Sequence, residues 1–254
     1  MEKTRIILSG ATGRLCTAIA KLCDGRDDCE IVCGVDIRQS DGAKFPIYTT
    51  FDEITEQADV IIDCSHHSLI GSILDYAKTH RLAAVVCTTG HTEDEDAMIH
   101  ASGADIPVLK SRNMSLGINL LTELVKKATA ALGDDFDIEI VEAHHNKKLD
   151  APSGTALMLA DAAAEVREES EYIFDRHSVR KQREKKEIGI SSIRGGTIVG
   201  EHSVIFAGQD EVITLSHSAG SRDLFAQGAL RAALWLAGQS RGFYTMAEVI
   251  SDMI

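Results

Sequence analysis

The residues best suited to acid–base chemistry are crowded into one stretch near the middle of the chain. Two adjacent imidazoles, His144 and His145, precede Lys147 and Lys148, and the turn 152–155 (Pro-Ser-Gly-Thr) follows them. A histidine transfers protons near neutral pH, and a lysine supplies a fixed positive charge. Chemistry of this kind suits a small anionic substrate that must be protonated.

The elements on either side of this stretch determine where these side chains are placed. The apolar and β-branched residues among acids at 138–141 predict a strand that ends near the histidines. Residues 155–165 are rich in strong helix formers and predict a helix that begins near Gly154. The first N–H groups of a helix and its dipole attract anions. Each residue alone is more simply a polar loop group, but together they predict a site.

The front of the chain predicts a nucleotide-binding unit. A short β run at 4–9 leads into Gly10, Ala11, Thr12, Gly13, Arg14 and Leu15, and residues 18–23 have helical character. Strand, glycine turn and helix allow the backbone to approach a pyrophosphate at the helix N-terminus. Cys16 occupies the third glycine position, so the fingerprint is incomplete, and a glycine turn that binds no nucleotide remains the alternative.

The acid after the second strand bears on the choice of cofactor. Asp36 follows the β run 30–35, where an acidic side chain holds a ribose 2′-hydroxyl and favours NADH. Arg38 lies two residues further on and suits a 2′-phosphate instead. The sequence therefore predicts NADH or NADPH, with NADH favoured.

The order of the elements predicts an α/β fold. Further β runs at 59–63, 83–87 and 106–109 alternate with helical segments, as in a Rossmann-type doubly wound parallel sheet. Later runs at 188–193, 202–206 and 211–216 alternate as strands of a mixed sheet do. We therefore expect an inserted α+β domain. The predicted domains are 1–112 with 222–254 for the dinucleotide, and 113–221 for the inserted domain.

Composition excludes several classes of protein. The formal net charge of −13 over 254 residues argues against nucleic-acid binding, which requires neutralisation of phosphates. No apolar run is long enough for a membrane span, and the first residues do not resemble a signal peptide. All six cysteines lie in the first 87 residues without a Cys-x-x-Cys pair, which indicates free thiols and a cytoplasmic protein.

The central stretch also resembles a known family. Glu142-Ala-His-His-Asn-Lys-Lys-Leu-Asp-Ala-Pro-Ser-Gly-Thr-Ala156 is similar to the signature of the dihydrodipicolinate reductases. The resemblance implies NAD(P)H-dependent reduction of 4-hydroxy-tetrahydrodipicolinate, a dicarboxylate of lysine and diaminopimelate biosynthesis, through its dehydrated form. It implies His144 as proton donor, Lys148 as the cation that binds substrate, His145 as a substrate contact, and Gly154 and Thr155 as carboxylate ligands.

The same resemblance covers nearly the whole chain and implies further features. It implies that the inserted α+β domain, residues 113–221, binds the substrate and assembles the chain as a homotetramer. It also implies a cofactor site that includes the glycine turn, Asp36 and Arg38. It adds these cofactor contacts: Cys87, Thr88, Thr89, Gly90, Arg112, Asn113, Met114 and Arg222. Cys87 and Met114 depart from the glycine and the aromatic residue usual at these positions, so they leave the cofactor side less defined than the reaction.

Other interpretations remain open at the level of sequence. A non-catalytic dinucleotide sensor is one, although such a sensor does not need the histidine–lysine set, and no Tyr-x-x-x-Lys occurs for the catalytic short-chain class. Another reductase or amino-acid dehydrogenase on this architecture is a second. A zinc site at His144 and His145 lacks a third ligand at suitable spacing, so no metal is expected. The charged segment 175–187 is either a solvated loop or a flap that closes over an anionic substrate.

Overall fold

The computed structural model describes residues 2–39 and 42–253. Within them the chain divides into two compact units, one running to Leu116 and resuming at Asp223, the other Gly117–Arg222. The predicted boundaries at 112/113 and 221/222 fall within a few residues of these divisions.

The strands are β1 Thr4–Ser9, β2 Cys29–Val35, β3 Ile47–Tyr48, β4 Val60–Asp63, β5 Ala83–Val86, β6 Pro107–Lys110, β7 Asp137–His144, β8 Glu171–Ile173, β9 Glu187–Arg194, β10 Glu201–Ala207, β11 Val212–Ser218 and β12 Gly242–Tyr244. The α-helices are α1 Arg14–Cys23, α2 Ile70–His80, α3 Glu93–Ser102, α4 Leu116–Leu132, α5 Gly154–Ala164, α6 Asp223–Leu236 and α7 Met246–Ser251.

The first unit is a seven-stranded parallel sheet in the order β12-β6-β5-β4-β1-β2-β3. Side chains of β1 alternate between its two faces, as the pleat requires. Ile6 and Leu8 join a core with α1, α6 and α7, whereas Ile7 joins a core with α2 and α3. Helices therefore cover both faces, which confirms the predicted doubly wound α/β fold.

The turn after β1 requires glycine at its first position. Gly10 has a φ of +78°, and a Cβ there would lie 2.7 Å from the carbonyl oxygen of Cys64. Cys16, at the third position of the fingerprint, is fully buried in the core beneath this turn. A thiol is small enough to pack there, so the departure from glycine leaves the strand–turn–helix arrangement intact.

The second unit is a five-stranded mixed sheet in the order β11-β10-β7-β9-β8. Strand β10 is antiparallel to β7 and β11, whereas β7, β8 and β9 are parallel. Helices α4 and α5 pack against one face through a core that includes Ile138, Ile140, Leu159 and Phe206. Apolar side chains are exposed on the opposite face, and Val212, for example, is 62% exposed. The mixed sheet predicted for the inserted domain is therefore present.

The charged segment 175–187 is tied to the sheet through its arginines. Arg176 pairs with Glu139 and Glu187, and Arg183 pairs with Asp137 and Glu139. These cations bind acids of β7 and β9, a role that neither interpretation of the segment included. Within residues 2–39 and 42–253, no helix has the length and apolar character needed to cross a membrane.

Candidate active site

His144 is the last residue of β7, and its side chain is held from within the same strand. Its Nδ1 lies 2.6 Å from Oε2 of Glu142, two residues earlier. Residues two apart in a strand point to the same face, which brings the imidazole and the carboxylate together. The residue as a whole is 9% exposed, and the amide of Gly195 donates a 2.9 Å hydrogen bond to the His144 carbonyl. The proton donor implied by the resemblance is thus a nearly buried, fixed side chain.

Glu142 is a fully buried carboxylate with a complete set of partners. Arg194, at the end of β9, donates to both oxygens at 2.8 and 2.7 Å. The amide of Ser153 donates to Oε1 at 3.1 Å. Burial alone raises the pKa of Glu142, but the hydrogen bonds from Arg194 and His144 outweigh it and lower the pKa to about 2. The carboxylate therefore stays ionised across the neutral range.

Sequence analysis did not identify Glu142 as a site residue, although a signal was present. A glutamate two positions before a histidine in a predicted strand must share its face. Residues 194–196 resemble the family's substrate-domain pattern, but the position of Arg194 opposite His144 could not be predicted, because it depends on the parallel pairing of β7 and β9.

His202 on β10 packs against the other side of His144. The ring centroids lie 5.1 Å apart in an edge-to-face arrangement, and His202 Nε2 is 3.0 Å from Ser153 Oγ. Burial, reinforced by the nearby charge of a protonated His144, lowers the pKa of His202 to about 4. His202 is therefore neutral near pH 7. Gly200 also lies close, since a Cβ there would stand 3.0 Å from His144 Nε2.

The loop after β7 carries the predicted substrate-binding cation. Lys148 Nζ lies 2.9 Å from Oδ2 of Asp150, and its side chain is 21% exposed. This contact lowers the pKa of the Asp150 carboxyl. Lys147 is exposed, so the two lysines have different surroundings.

The predicted substrate contact His145 directly follows the last residue of β7 and is half-buried. Its Nε2 is 3.2 Å from Nη2 of Arg222. Arg222 was predicted as a cofactor contact. The structure pairs it with a predicted substrate residue, and the cofactor contact remains a prediction.

Helix α5 begins at Gly154 with Ser153 as its N-cap. Ser153 Oγ accepts a 3.2 Å hydrogen bond from the Ala156 amide, and the Ser153 carbonyl accepts one of 3.1 Å from Leu157. Gly154 and Thr155 are the first two residues of the helix, at the positive end of its dipole. Space around Gly154 is open, since a Cβ there meets no heavy atom within 4 Å. A carboxylate fits such a helix end.

The glycine turn and Asp36 border one cavity of about 940 Å³ in the first unit. Asp36 accepts hydrogen bonds of 2.9 Å from both the amide and the hydroxyl of Thr12, and one of 3.0 Å from the Arg38 amide. Burial raises the pKa of Asp36, but these hydrogen bonds prevail and lower it. The cavity continues along α2 to Tyr76 and His80. A glycine turn, an ionised acid and a long cavity fit a dinucleotide.

The other predicted cofactor contacts have varied surroundings, and their contacts with a cofactor remain predictions. Met114 is 3% exposed within the core of the first unit, and the Thr88 side chain is also buried. Ala11 is buried, and Leu15 and Cys87 pack partly buried against the same core. The remaining residues are Arg14, Thr89, Gly90 and Arg112, which are exposed, and Asn113, whose Oδ1 accepts from the Ser115 amide. Across the described ranges, no three histidine, cysteine, aspartate or glutamate side chains are grouped to hold a metal ion.

A parallel sheet with a dinucleotide cavity, joined in one chain to a histidine–carboxylate site, defines an NAD(P)-dependent oxidoreductase. Family models described as dihydrodipicolinate reductase, N-terminus and C-terminus, match residues 4–114 and 117–250. The chain therefore belongs to the dihydrodipicolinate reductase family, whose members use NADH or NADPH.

Individual relatives agree with this placement. A 4-hydroxy-tetrahydrodipicolinate reductase of Caldanaerobacter subterraneus subsp. tengcongensis is 48% identical over 97% of this chain and 98% of its own. The enzyme of the same name from Zymomonas mobilis is 44% identical over 98% of each chain. Among solved structures, dipicolinate-bound dihydrodipicolinate reductase from Paenisporosarcina sp. TG-14 matches with a TM-score of 0.81 at 21% identity, covering 96% of this chain and 98% of that one. The DAP dehydrogenase of C. glutamicum matches at 0.58 and 16% identity, covering 98% and 96%. At these identities the structural matches show the fold.

Proposed function

We propose that the chain reduces 4-hydroxy-tetrahydrodipicolinate, through its dehydrated form, to tetrahydrodipicolinate, with His144 as proton donor. The observation that carries this proposal is the Glu142 carboxylate, which is bonded both to His144 and to the amide of Ser153. It ties the acid–base group to the N-terminus of α5. A proton donor fixed beside an anion-binding helix end suits an anionic substrate that gains a proton.

The residues of the second unit have separate roles in this proposal. The bound nicotinamide supplies the hydride to the substrate ring. His144 delivers a proton to the electron-rich position that results, which a general acid accelerates by about 10²–10⁴-fold. Lys148 binds the anionic substrate and stabilises developing charge, and His145 contacts the substrate. The amides of Gly154 and Thr155 hold a carboxylate and so fix the position of the ring.

The cofactor roles rest on the first unit. The turn from Gly10 to Leu15 would hold the pyrophosphate, and Asp36 would accept a hydrogen bond from the ribose 2′-hydroxyl. An ionised Asp36 also repels a 2′-phosphate, so we infer a preference for NADH. Arg38 would be the partner of that phosphate when NADPH binds.

We also propose that residues 113–221 bind the substrate and assemble the chain as a homotetramer in the cytoplasm. The dicarboxylate ligand named for the similar Paenisporosarcina reductase supports a small dicarboxylate here. The exposed apolar residues Ile193, Val212 and Ile213 on strands of the second sheet support assembly through that sheet. Six free cysteines support a reducing compartment.

The test is the loss of reduced-nicotinamide absorbance with substrate made freshly by the enzyme that forms 4-hydroxy-tetrahydrodipicolinate. We expect turnover with both cofactors and a higher kcat/KM with NADH. Amino acids with NAD⁺ serve as the competing substrates, because a dehydrogenase shares this fold. Turnover of an amino acid alone would contradict the proposal. Dinucleotide binding without any reduction would favour the sensor.

A further inference from the structure

We propose that Glu142 is a positioning residue for the reaction. It holds His144 with Nδ1 protonated, so that Nε2 is the nitrogen that transfers the proton, and Arg194 neutralises the charge of the Glu142 carboxylate. The inference rests on the proposed role of His144. It adds the buried Glu142–Arg194 ion pair, which supports His144, to the side chains proposed to contact the substrate.

The hydrogen-bond chemistry of the pair determines which imidazole nitrogen carries the proton. An ionised carboxylate only accepts, so at 2.6 Å the hydrogen between Glu142 Oε2 and His144 Nδ1 belongs to the imidazole. In the neutral ring, Nε2 is then the unprotonated nitrogen. In the imidazolium, Nε2 carries the proton that can be transferred. Its N–H bond breaks as the electron pair that hydride addition leaves on the substrate takes up the proton, and the N–H bonding pair stays on Nε2.

Arg194 has a role both before and after the proton transfer. When His144 becomes neutral, a lone buried carboxylate would lose its compensating charge, which is costly. The two hydrogen bonds from Arg194 remain, so Glu142 stays ionised and does not take the imidazole proton. Arg194 is anchored in turn by donating to the carbonyl oxygens of Ile193 and Asp150, at 2.7 Å each.

The charges around His144 come from several elements. Glu142 lies on the same strand, Arg194 on β9, and the neutral His202 on β10. Lys148 and Asp150 lie in the following loop, and His217 on β11 is a more distant neighbour that acts on His202. Of the negative groups, only Glu142 is in direct contact with the imidazole among the described residues. Its removal should therefore change how kcat depends on pH.

The first experiment measures kcat against pH for the wild type, Glu142→Gln and Glu187→Gln. Glu187 is a matched control, because its carboxylate is also fully buried in this sheet and paired with an arginine, Arg176. In the wild type, kcat falls as pH rises through the pKa of the acid. We expect Glu142→Gln to move this fall by about one pH unit or more toward lower pH, since an opposite charge shifts a pKa by roughly 1–3 units.

We also expect Glu142→Gln to lower kcat at pH 7 by about 10–100-fold, part of what a general acid contributes. Glu187→Gln should keep the wild-type profile. A merely structural role of Glu142 would scale the profile without moving it along the pH axis, and an unshifted profile would overturn the proposal.

A second measurement needs no variant at Glu142 and covers the case in which Glu142→Gln does not fold. Imidazole ¹⁵N shifts of wild-type enzyme labelled with ¹⁵N-histidine, assigned by the signals lost in His144→Gln, report which nitrogen is protonated. We expect Nδ1–H in the neutral ring, and Nε2–H would overturn the proposal.

If His144→Gln keeps wild-type turnover, the proposed proton donor itself is wrong. If it collapses while Glu142→Gln titrates like the wild type, only the role of Glu142 is wrong.

Discussion

The Asp36 carboxylate accepts two hydrogen bonds of 2.9 Å from Thr12, one from the amide and one from the hydroxyl. The two residues lie 24 positions apart, at the carboxyl ends of neighbouring parallel strands. Thr12 thus belongs to the glycine turn and also anchors the acid proposed to contact the ribose. The proposed pyrophosphate site and the proposed selectivity for the 2′-substituent therefore share one residue.

Replacement of Asp36 by asparagine should raise the NADPH/NADH ratio of kcat/KM by about tenfold or more. The amide still accepts from Thr12, but the charge that repels a 2′-phosphate is gone, and a like-charge contact costs several kcal/mol. Asp75→Asn is the matched control, because Asp75 borders the same cavity from α2. Steady-state rates with both cofactors provide the ratio. A ratio unchanged in Asp36→Asn, or equally changed in Asp75→Asn, would refute the assignment.

Lys148→Ala should lower kcat/KM for the substrate by about 10–100-fold. A hydrogen bond to a charged group contributes roughly 1.5–3 kcal/mol, and Lys148 is proposed to make one with the substrate. Lys147→Ala removes the same charge from the neighbouring exposed position and should leave kcat/KM near the wild-type value. Equal losses in the two variants would indicate a general effect of loop charge.

Gly200→Ala should reduce kcat by about tenfold while the chain remains folded. A Cβ at this position lies 3.0 Å from His144 Nε2, the atom proposed to carry the proton, so the ring must move. Gly208→Ala crowds the Phe136 ring at 2.9 Å in the same sheet, away from His144. It controls for crowding alone and should change stability more than kcat. Wild-type kcat in Gly200→Ala would argue against the assigned atom.

His202 should make the folded chain sensitive to acid. Its pKa is lowered to about 4, so between the ordinary value of 6.5 and 4 the unfolded chain binds a proton that the folded chain does not. Stability therefore falls on acidification through this window, by about 3 kcal/mol in all. Urea unfolding at pH 7 and 4.5, at fixed protein concentration, should show a smaller loss in His202→Gln. The exposed His177→Gln is the control. Identical losses in all three proteins would contradict this.

Much of the first unit follows from local pattern. Its five longer strands and the glycine turn were predicted, because each depends on neighbouring residues. Strands β3, β8 and β12 were not predicted, because runs of two or three residues carry no periodicity and form only by pairing with a longer neighbour.

In the candidate active site, too, local features could be predicted from the sequence and long-range contacts could not. The signature around His144 and the start of α5 could be recognised along the chain. Arg194 and His202 reach His144 only through the register of β9 and β10 against β7. Met114 was predicted as a cofactor contact from the family resemblance, and nothing local indicated that its side chain would pack into the core.

The most direct test of the account is the turnover of His144→Gln with its cofactor affinity measured on the same sample. Glutamine keeps polarity and approximate size but cannot donate the proton as an imidazolium does. We expect kcat to fall by at least about 100-fold, within the range for a general acid, with the dissociation constant for NADH unchanged. Turnover close to the wild-type rate in folded, NADH-binding His144→Gln would contradict the central claim.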